Sequence, residues 1–159
     1  MLIVCVAIVV VDFMRLHLDG IKEAFILFFG SFLRRHEFTR LSGATYLLFG
    51  CLITSLLYSK IIVVASCAFI IVGDTFAAVF GQNIKSPKLF KKKTLAGSLG
   101  FFLSTLAVIA VMHSYTQPFM FKQLLVGAVV ATVFEAMPLP WNDNFAVPII
   151  TGAVMTLFF

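Results

Sequence analysis

Residues 61–80 and 95–113 are two apolar runs, each close to the ~20 residues needed to cross ~30 Å of hydrocarbon. Between them lies a strongly polar loop, residues 82–93, carrying Lys85, Lys88, Lys91, Lys92 and Lys93. In lipid a backbone must satisfy its own hydrogen bonds, which leaves helices or closed barrels as spanning structures. The whole chain follows suit: 61% of residues are hydrophobic, 12% are charged, and mean hydropathy is +1.07. The expected fold is an all-α integral membrane protein, a bundle of about six short transmembrane helices plus an interfacial helix. A chain of 159 residues has room for this single domain, 1–159, and for no separate soluble one. Any chemistry must therefore be assembled from helix ends and connecting loops.

Residues 1–14 form the first helix and lack the basic start and small-residue cleavage site of a signal peptide. Asp12 and Arg15 share a helical face at i, i+3, and Asp19 extends that face by one turn; such pairs serve structure more often than catalysis. Residues 24–33, broken by Gly30-Ser31 and followed by Arg34-Arg35-His36-Glu37, suit the interface better than a crossing. Residues 39–58 make the second crossing and open with small and hydroxyl side chains. In the third, 61–80, Gly73, Ala77 and Gly81 recur every four residues as a packing seam that aims Asp74 into the bundle. Residues 95–113, 121–137 and 145–159 complete the set. Cys5, Cys51 and Cys67 have no paired spacing and read as core; His17, His36 and His113 do not read as ligands, and Trp141 reads as an interfacial anchor.

Placing the lysine loop in the cytoplasm by the positive-inside rule puts the equally basic residues 15–40 on the same side. The connection 114–120 then lies outside, without Lys or Arg, and 138–144 returns to the cytoplasm. All seven acids thus gather near one face, while the outer connections are nearly uncharged, with Lys60 the exception. Asp74 in an apolar helix costs roughly 2.5–3.5 kcal/mol on insertion scales, so it is a functional candidate by default; structural pairing with a lysine is the competing reading. Oxygen donors (Asp74, Asp143, and Glu135 or Asn144) facing Lys and Arg suit a magnesium nucleotide. At the start of the fourth crossing Thr94 can cap the helix, while Gly97 and Ser98 leave its first turn open for backbone N–H groups to attract an anion. This is not a Walker A loop, for no G-x-x-x-x-G-K-[ST] occurs.

Gly73-Asp74-Thr75-Phe76-Ala77-Ala78 followed by Lys93-Thr94-Leu95-Ala96-Gly97-Ser98 resembles the paired signature of the CTP-dependent lipid kinases: dolichol kinase, phytol and polyprenol kinases, and the yeast-type diacylglycerol kinase. Glu37 with Arg40-Leu41-Ser42-Gly43-Ala44-Thr45, and Glu135 with Asp143-Asn144 and Pro148, are similar to further blocks of that family. The resemblance runs from about Asp12 to the C-terminus. It implies transfer of the γ-phosphoryl group of CTP to a lipid alcohol, with Mg2+ held by Asp74 and Asp143. Phosphates would be bound by Arg40, Lys91, Lys92 and Lys93, with Thr94, Gly97, Ser98 and Asn144 completing the nucleotide site. Glu37 or Glu135 would accept the proton of the lipid hydroxyl, though Glu37 could instead pair with Arg40. The family usually carries a further N-terminal helix with a basic-histidine motif, which this chain lacks by that reading. Leu95-Ala96-Gly97-Ser98 resembles the form found in the diacylglycerol kinase branch.

The implied partners are a lipid alcohol, a nucleoside triphosphate and the bilayer, with room for a second copy of the chain and no call for nucleic acid. The implied site faces the cytoplasm. A phosphatidate cytidylyltransferase needs the same CTP, Mg2+ and membrane acceptor and stays open as an alternative, separated by its product. A small transporter or a non-catalytic membrane protein is the third reading, and polar residues near the bilayer midplane in both halves, or an inverted repeat, would favour transport. Neither is present.

Overall fold

The computed structural model describes residues 2–30, 35–90, 93–114 and 120–157, without the side chains at 29, 35 and 36. Within them the chain forms α1 (Leu2–His17), α2 (Asp19–Phe29), a 3-10 turn (Arg35–Phe38), α3 (Gly43–Leu57) and α4 (Lys60–Asn83). Two short antiparallel strands follow, β1 (Lys88–Phe90) and β2 (Lys93–Thr94), then α5 (Leu95–His113), α6 (Met120–Ala136) and α7 (Asp143–Thr156). The architecture is all-helical, with seven α-helices among the described residues.

Two of these helices, α4 with 24 residues and α5 with 19, are long and apolar enough to cross a membrane, at mean hydropathies of 2.2 and 2.1. α1, α3, α6 and α7 have 14 to 17 residues and fall short of the ~20 that a full crossing takes. The apolar runs read from sequence included residues that the fold spends on caps. Ser42 and Tyr58, for instance, leave helical geometry on either side of α3. A second difference concerns Asp19. Leu18 adopts extended backbone, so α1 stops and Asp19 opens α2 instead of continuing the Arg15 face.

Small residues decide how closely α4 and α5 pack. A Cβ on Gly97 would lie 3.6 Å from the Gly81 Cα, and one on Gly100 would lie 2.9 Å from the Phe80 side chain. The backbones meet where those side chains are missing, as in membrane helix pairs generally. Below this contact Phe69, Phe101, Ile109, Val147 and Met155 form the centre of the core, each at most 2% exposed. Across the bundle α3 lies on α7. Pro148 has no N–H to offer the Asn144 carbonyl one turn earlier, and that oxygen packs instead beside Gly50, 2.8 Å from where its Cβ would stand. Lower down the same pair, the Tyr58 hydroxyl donates to the Ile149 carbonyl at 3.1 Å.

The outward faces of α4, α5 and α6 carry exposed Val64, Ile71, Leu99, Leu103, Val111, Val129 and Val133. A continuous apolar exterior of this kind marks a surface that meets something other than water. The acids and most of the bases sit at one end, where α4 finishes and α3, α5 and α7 begin. At the far end lie Lys60, His113 and also Lys122, two residues into α6, which counting connections alone had left out.

Candidate active site

The Gly81–Gly97 approach brings the end of α4 against the start of α5, and beside it opens a cavity of about 360 Å3. Asp74, Ala77, Ala78, Gly81 and Gln82 line it from α4, Lys93 and Thr94 from β2, Gly97 and Ser98 from α5, and Glu135 from α6. At a rise of 1.5 Å per residue, Asp74 lies about 10 Å deeper than Gly81. The two blocks around Asp74 and Lys93, nineteen positions apart in the chain, thus form facing walls.

Lys93 is the electrostatic centre. Its Nζ donates to Glu135 Oε1 at 2.5 Å and to Asp143 Oδ2 at 2.6 Å, and so ties β2 to the end of α6 and the first turn of α7. Burial pulls this ammonium toward its neutral form, but the charges and hydrogen bonds of Glu135 and Asp143 outweigh that and hold its pKa above the ordinary 10.5. Glu135 is 2% exposed, lies within reach of the charges of Asp74 and Asp143, and its Oε2 is buried without a hydrogen-bond partner. Ser98 Oγ is likewise buried and unpartnered. Orphaned polar atoms are expensive unless something else satisfies them.

The start of α5 differs from the sequence reading. Thr94 does cap it, accepting from Gly97 N at 3.2 Å. The neighbouring donors are engaged too: Leu95 N donates to the Pro87 carbonyl and Ala96 N to Ser86 Oγ, both at 3.0 Å. Three of the first four N–H groups are therefore spent within the protein, because the β1–β2 fold returns Ser86-Pro87 to the helix end. Among the described residues that line the cavity, charge for an anion comes from Lys93 and the residual helix dipole rather than from open backbone donors.

A second polar cluster adjoins the cavity. Asp12 and Arg15, 2% and 1% exposed, form an ion pair inside the bundle. Asp12 Oδ2 also accepts from Ser42 N at 2.7 Å and Thr45 Oγ1 at 2.6 Å. Arg15 donates to the Glu37 carbonyl at 2.9 Å and the Arg40 carbonyl at 3.1 Å, strapping down the segment before α3, and its guanidinium stacks over Phe25. Glu37 Oε1 accepts from Gly43 N at 2.7 Å, and the Gly43 carbonyl accepts from Asn144 Nδ2 at 3.1 Å. Asn144 neighbours Asp143, so the cluster joins the Lys93 centre through one side-chain amide.

Of the residues singled out from sequence, Asp74, Lys93, Thr94, Gly97, Ser98 and Glu135 share one cavity, and Asp143 reaches it through Lys93. Glu37, Arg40 and Asn144 stand outside the lining, Glu37 and Asn144 in hydrogen bonds to Gly43, and Arg40 with its side chain exposed. Lys91 and Lys92 lie outside the described residues. Ser86 and Gln82 were not foreseen; Ser-Pro shortly before a helix start was the available signal for the former. Nor was the reach of Asp12 and Arg15 to α3, thirty residues away, which no local spacing encodes. Among the described residues no three His, Cys, Asp or Glu side chains gather to hold a metal unaided. One or two carboxylates together with substrate phosphates are the usual way Mg2+ is held. The orphaned Glu135 Oε2, with Asp74 lining the same cavity from α4, fits such a donor set.

Two of the relatives found by comparison with known proteins carry an activity in their names. The chain is 24% identical over 173 residues to the CTP-dependent diacylglycerol kinase 1 of Eremothecium gossypii, and 24% identical over 169 residues to that of Saccharomyces cerevisiae. The kinship with lipid kinases is distant. The alignments take in 94% and 92% of this chain but 55% and 58% of theirs, so the chain spans little more than half the length of those kinases. An uncharacterized protein of Rickettsia prowazekii is 29% identical over 153 residues, covering 92% of this chain and 74% of the relative. No protein-family model and no solved structure matches the chain.

Proposed function

We propose that this chain is a membrane lipid kinase that moves the γ-phosphoryl group of CTP to a lipid alcohol such as diacylglycerol or a polyprenol, with its site on the cytoplasmic face. The observation that carries the proposal is the meeting of Asp74, Lys93, Thr94, Ser98 and Glu135 in one cavity. The distant kinship with diacylglycerol kinases supports the same reading, and supports CTP as the donor.

In this reading Mg2+, when bound with the nucleotide, neutralises phosphate charge and fixes the geometry of the transferred group. Asp74 and Asp143 would hold it. Lys93, with Lys91, Lys92 and Arg40, offsets the remaining phosphate charge, and the Thr94 and Ser98 hydroxyls orient phosphate oxygens. The acceptor oxygen attacks the γ-phosphorus as the bond to the bridging oxygen breaks and CDP leaves. Glu135 is better placed than Glu37 to take the hydroxyl proton, since it lines the cavity while Glu37 is engaged with Gly43. General-base help of this kind is worth about 10²–10⁴-fold.

An apolar cavity of about 530 Å3 on the neighbouring face of α4 and α5, bounded by Val72, Phe76, Phe80, Gly100 and Leu103, offers hydrocarbon contact close to the polar one. That supports an acceptor that stays in the bilayer, where each CH2 moved into water costs ~0.8 kcal/mol. The test is to incubate purified protein with γ-labelled CTP or ATP and a panel of lipid alcohols. Labelled lipid monophosphate is expected, and Asp74→Asn should abolish it while leaving membrane insertion intact. Full activity of that variant removes the metal role of Asp74; pyrophosphate and a CDP-lipid from phosphatidate would replace the kinase by a cytidylyltransferase.

A further inference from the structure

Glu135 and Asp143 are both already committed to another cation, for Lys93 Nζ lies 2.5 Å from one and 2.6 Å from the other. A divalent ion that takes either as a ligand competes with an ammonium already in hydrogen-bond contact. We infer that Lys93 acts as a built-in competitor that makes the site select the metal–nucleotide complex over the free divalent cation. This rests on the functional reading above and adds an order of binding to it.

Three features of the site favour this selection. Displacing Nζ by a bare metal ion leaves a partly buried ammonium, 30% exposed, beside a metal cation of like charge. That is doubly unfavourable. When the ion arrives with a triphosphate, Nζ exchanges two carboxylate oxygens for phosphate oxygens of equal or greater charge, and no charge is stranded. Second, the backbone donors of Leu95, Ala96 and Gly97 are already taken by Pro87, Ser86 and Thr94, so they offer the phosphates no substitute for Lys93. Third, β2 holds Lys93 at the edge of a two-residue strand rather than within a helix, so a change of side-chain rotamer suffices for the exchange.

The experiment uses Mn2+ as the spectroscopic stand-in, titrated into purified full-length protein and followed by electron paramagnetic resonance, with and without a non-transferable CTP analogue. For the unaltered chain, Mn2+ alone is expected to bind at least ten-fold more weakly than Mn2+ with the analogue. Lys93→Met is expected to bind free Mn2+ at least ten-fold more tightly than the unaltered chain, while losing affinity for the analogue. Equal Mn2+ affinity in the two proteins, or tight binding of free Mn2+ by the unaltered chain, overturns the inference. If Lys93→Met does not fold, the titration of the unaltered chain decides alone. If the analogue binds neither protein the nucleotide reading fails, yet the comparison of free Mn2+ affinities still tests the competition.

Discussion

Arg15 is 1% exposed in a protein whose exterior is largely hydrocarbon-like, and it survives there because Asp12 and two backbone carbonyls surround it. Removing one partner of such a pair strands the other, at about 3–5 kcal/mol. Asp12→Ala is therefore expected to destabilise the protein by that amount, whereas Thr45→Val, which deletes one hydrogen bond from the same carboxylate, should cost about 1 kcal/mol. Thermal unfolding in detergent measures both. Lys93 makes a prediction in pH. Its pKa is raised on folding, so its ion pairs contribute fully below the ordinary lysine value of 10.5 and are lost only as pH climbs through the higher folded value. An amine-reactive reagent at pH 9 should accordingly modify exposed Lys88 well before Lys93, as mass spectrometry of the labelled protein would reveal. Asp74 and Lys93 were legible in the sequence because charge is rare there and its placement stands out. Arg15 was legible only as half of a local pair; its bonds to residues 37 and 40 depend on how α1 and α3 dock.

Helices were readable wherever an apolar run met a capping residue. Thr94 fixed the start of α5, and residues 95–113 came out as foreseen. The short β1–β2 pairing escaped notice, since Lys88-Leu89-Phe90 has no strand pattern beyond its length and all three residues are exposed. Its effect on the site is large: it returns Ser86 and Pro87 to the donors of α5, which the sequence had left open to an anion. The α4–α5 seam was visible in part. Gly73, Ala77 and Gly81 announced one side of it, but Gly100 gains meaning only opposite Phe80. Gly100→Val should force the two helices apart and cost about 1–3 kcal/mol, the usual penalty of overpacking. A lowered melting temperature in detergent checks the cost, and a matching Phe80→Ala change should recover part of it.

At the scale of the molecule, charge is sorted along one axis. If the bundle crosses the bilayer as proposed, Lys88→Cys and Lys60→Cys should react with a membrane-impermeant thiol reagent from opposite sides of sealed vesicles, with the native cysteines replaced by Ala. Labelling of both from one side would place the charged end and the far end in the same compartment and undo the topology. That sorting has a further consequence for how such a protein can change over time. Among the described residues, the hydrogen bonds between side chains of different elements that bear on the site lie at one end, while the rest of α4 and α5 answers mainly to bulk, hydropathy, a few glycines and hydroxyls bonded within their own helix. Mutational drift can therefore rewrite most of the polypeptide without touching the reaction, and lineages of this architecture should share few letters yet keep one small constellation of them in place.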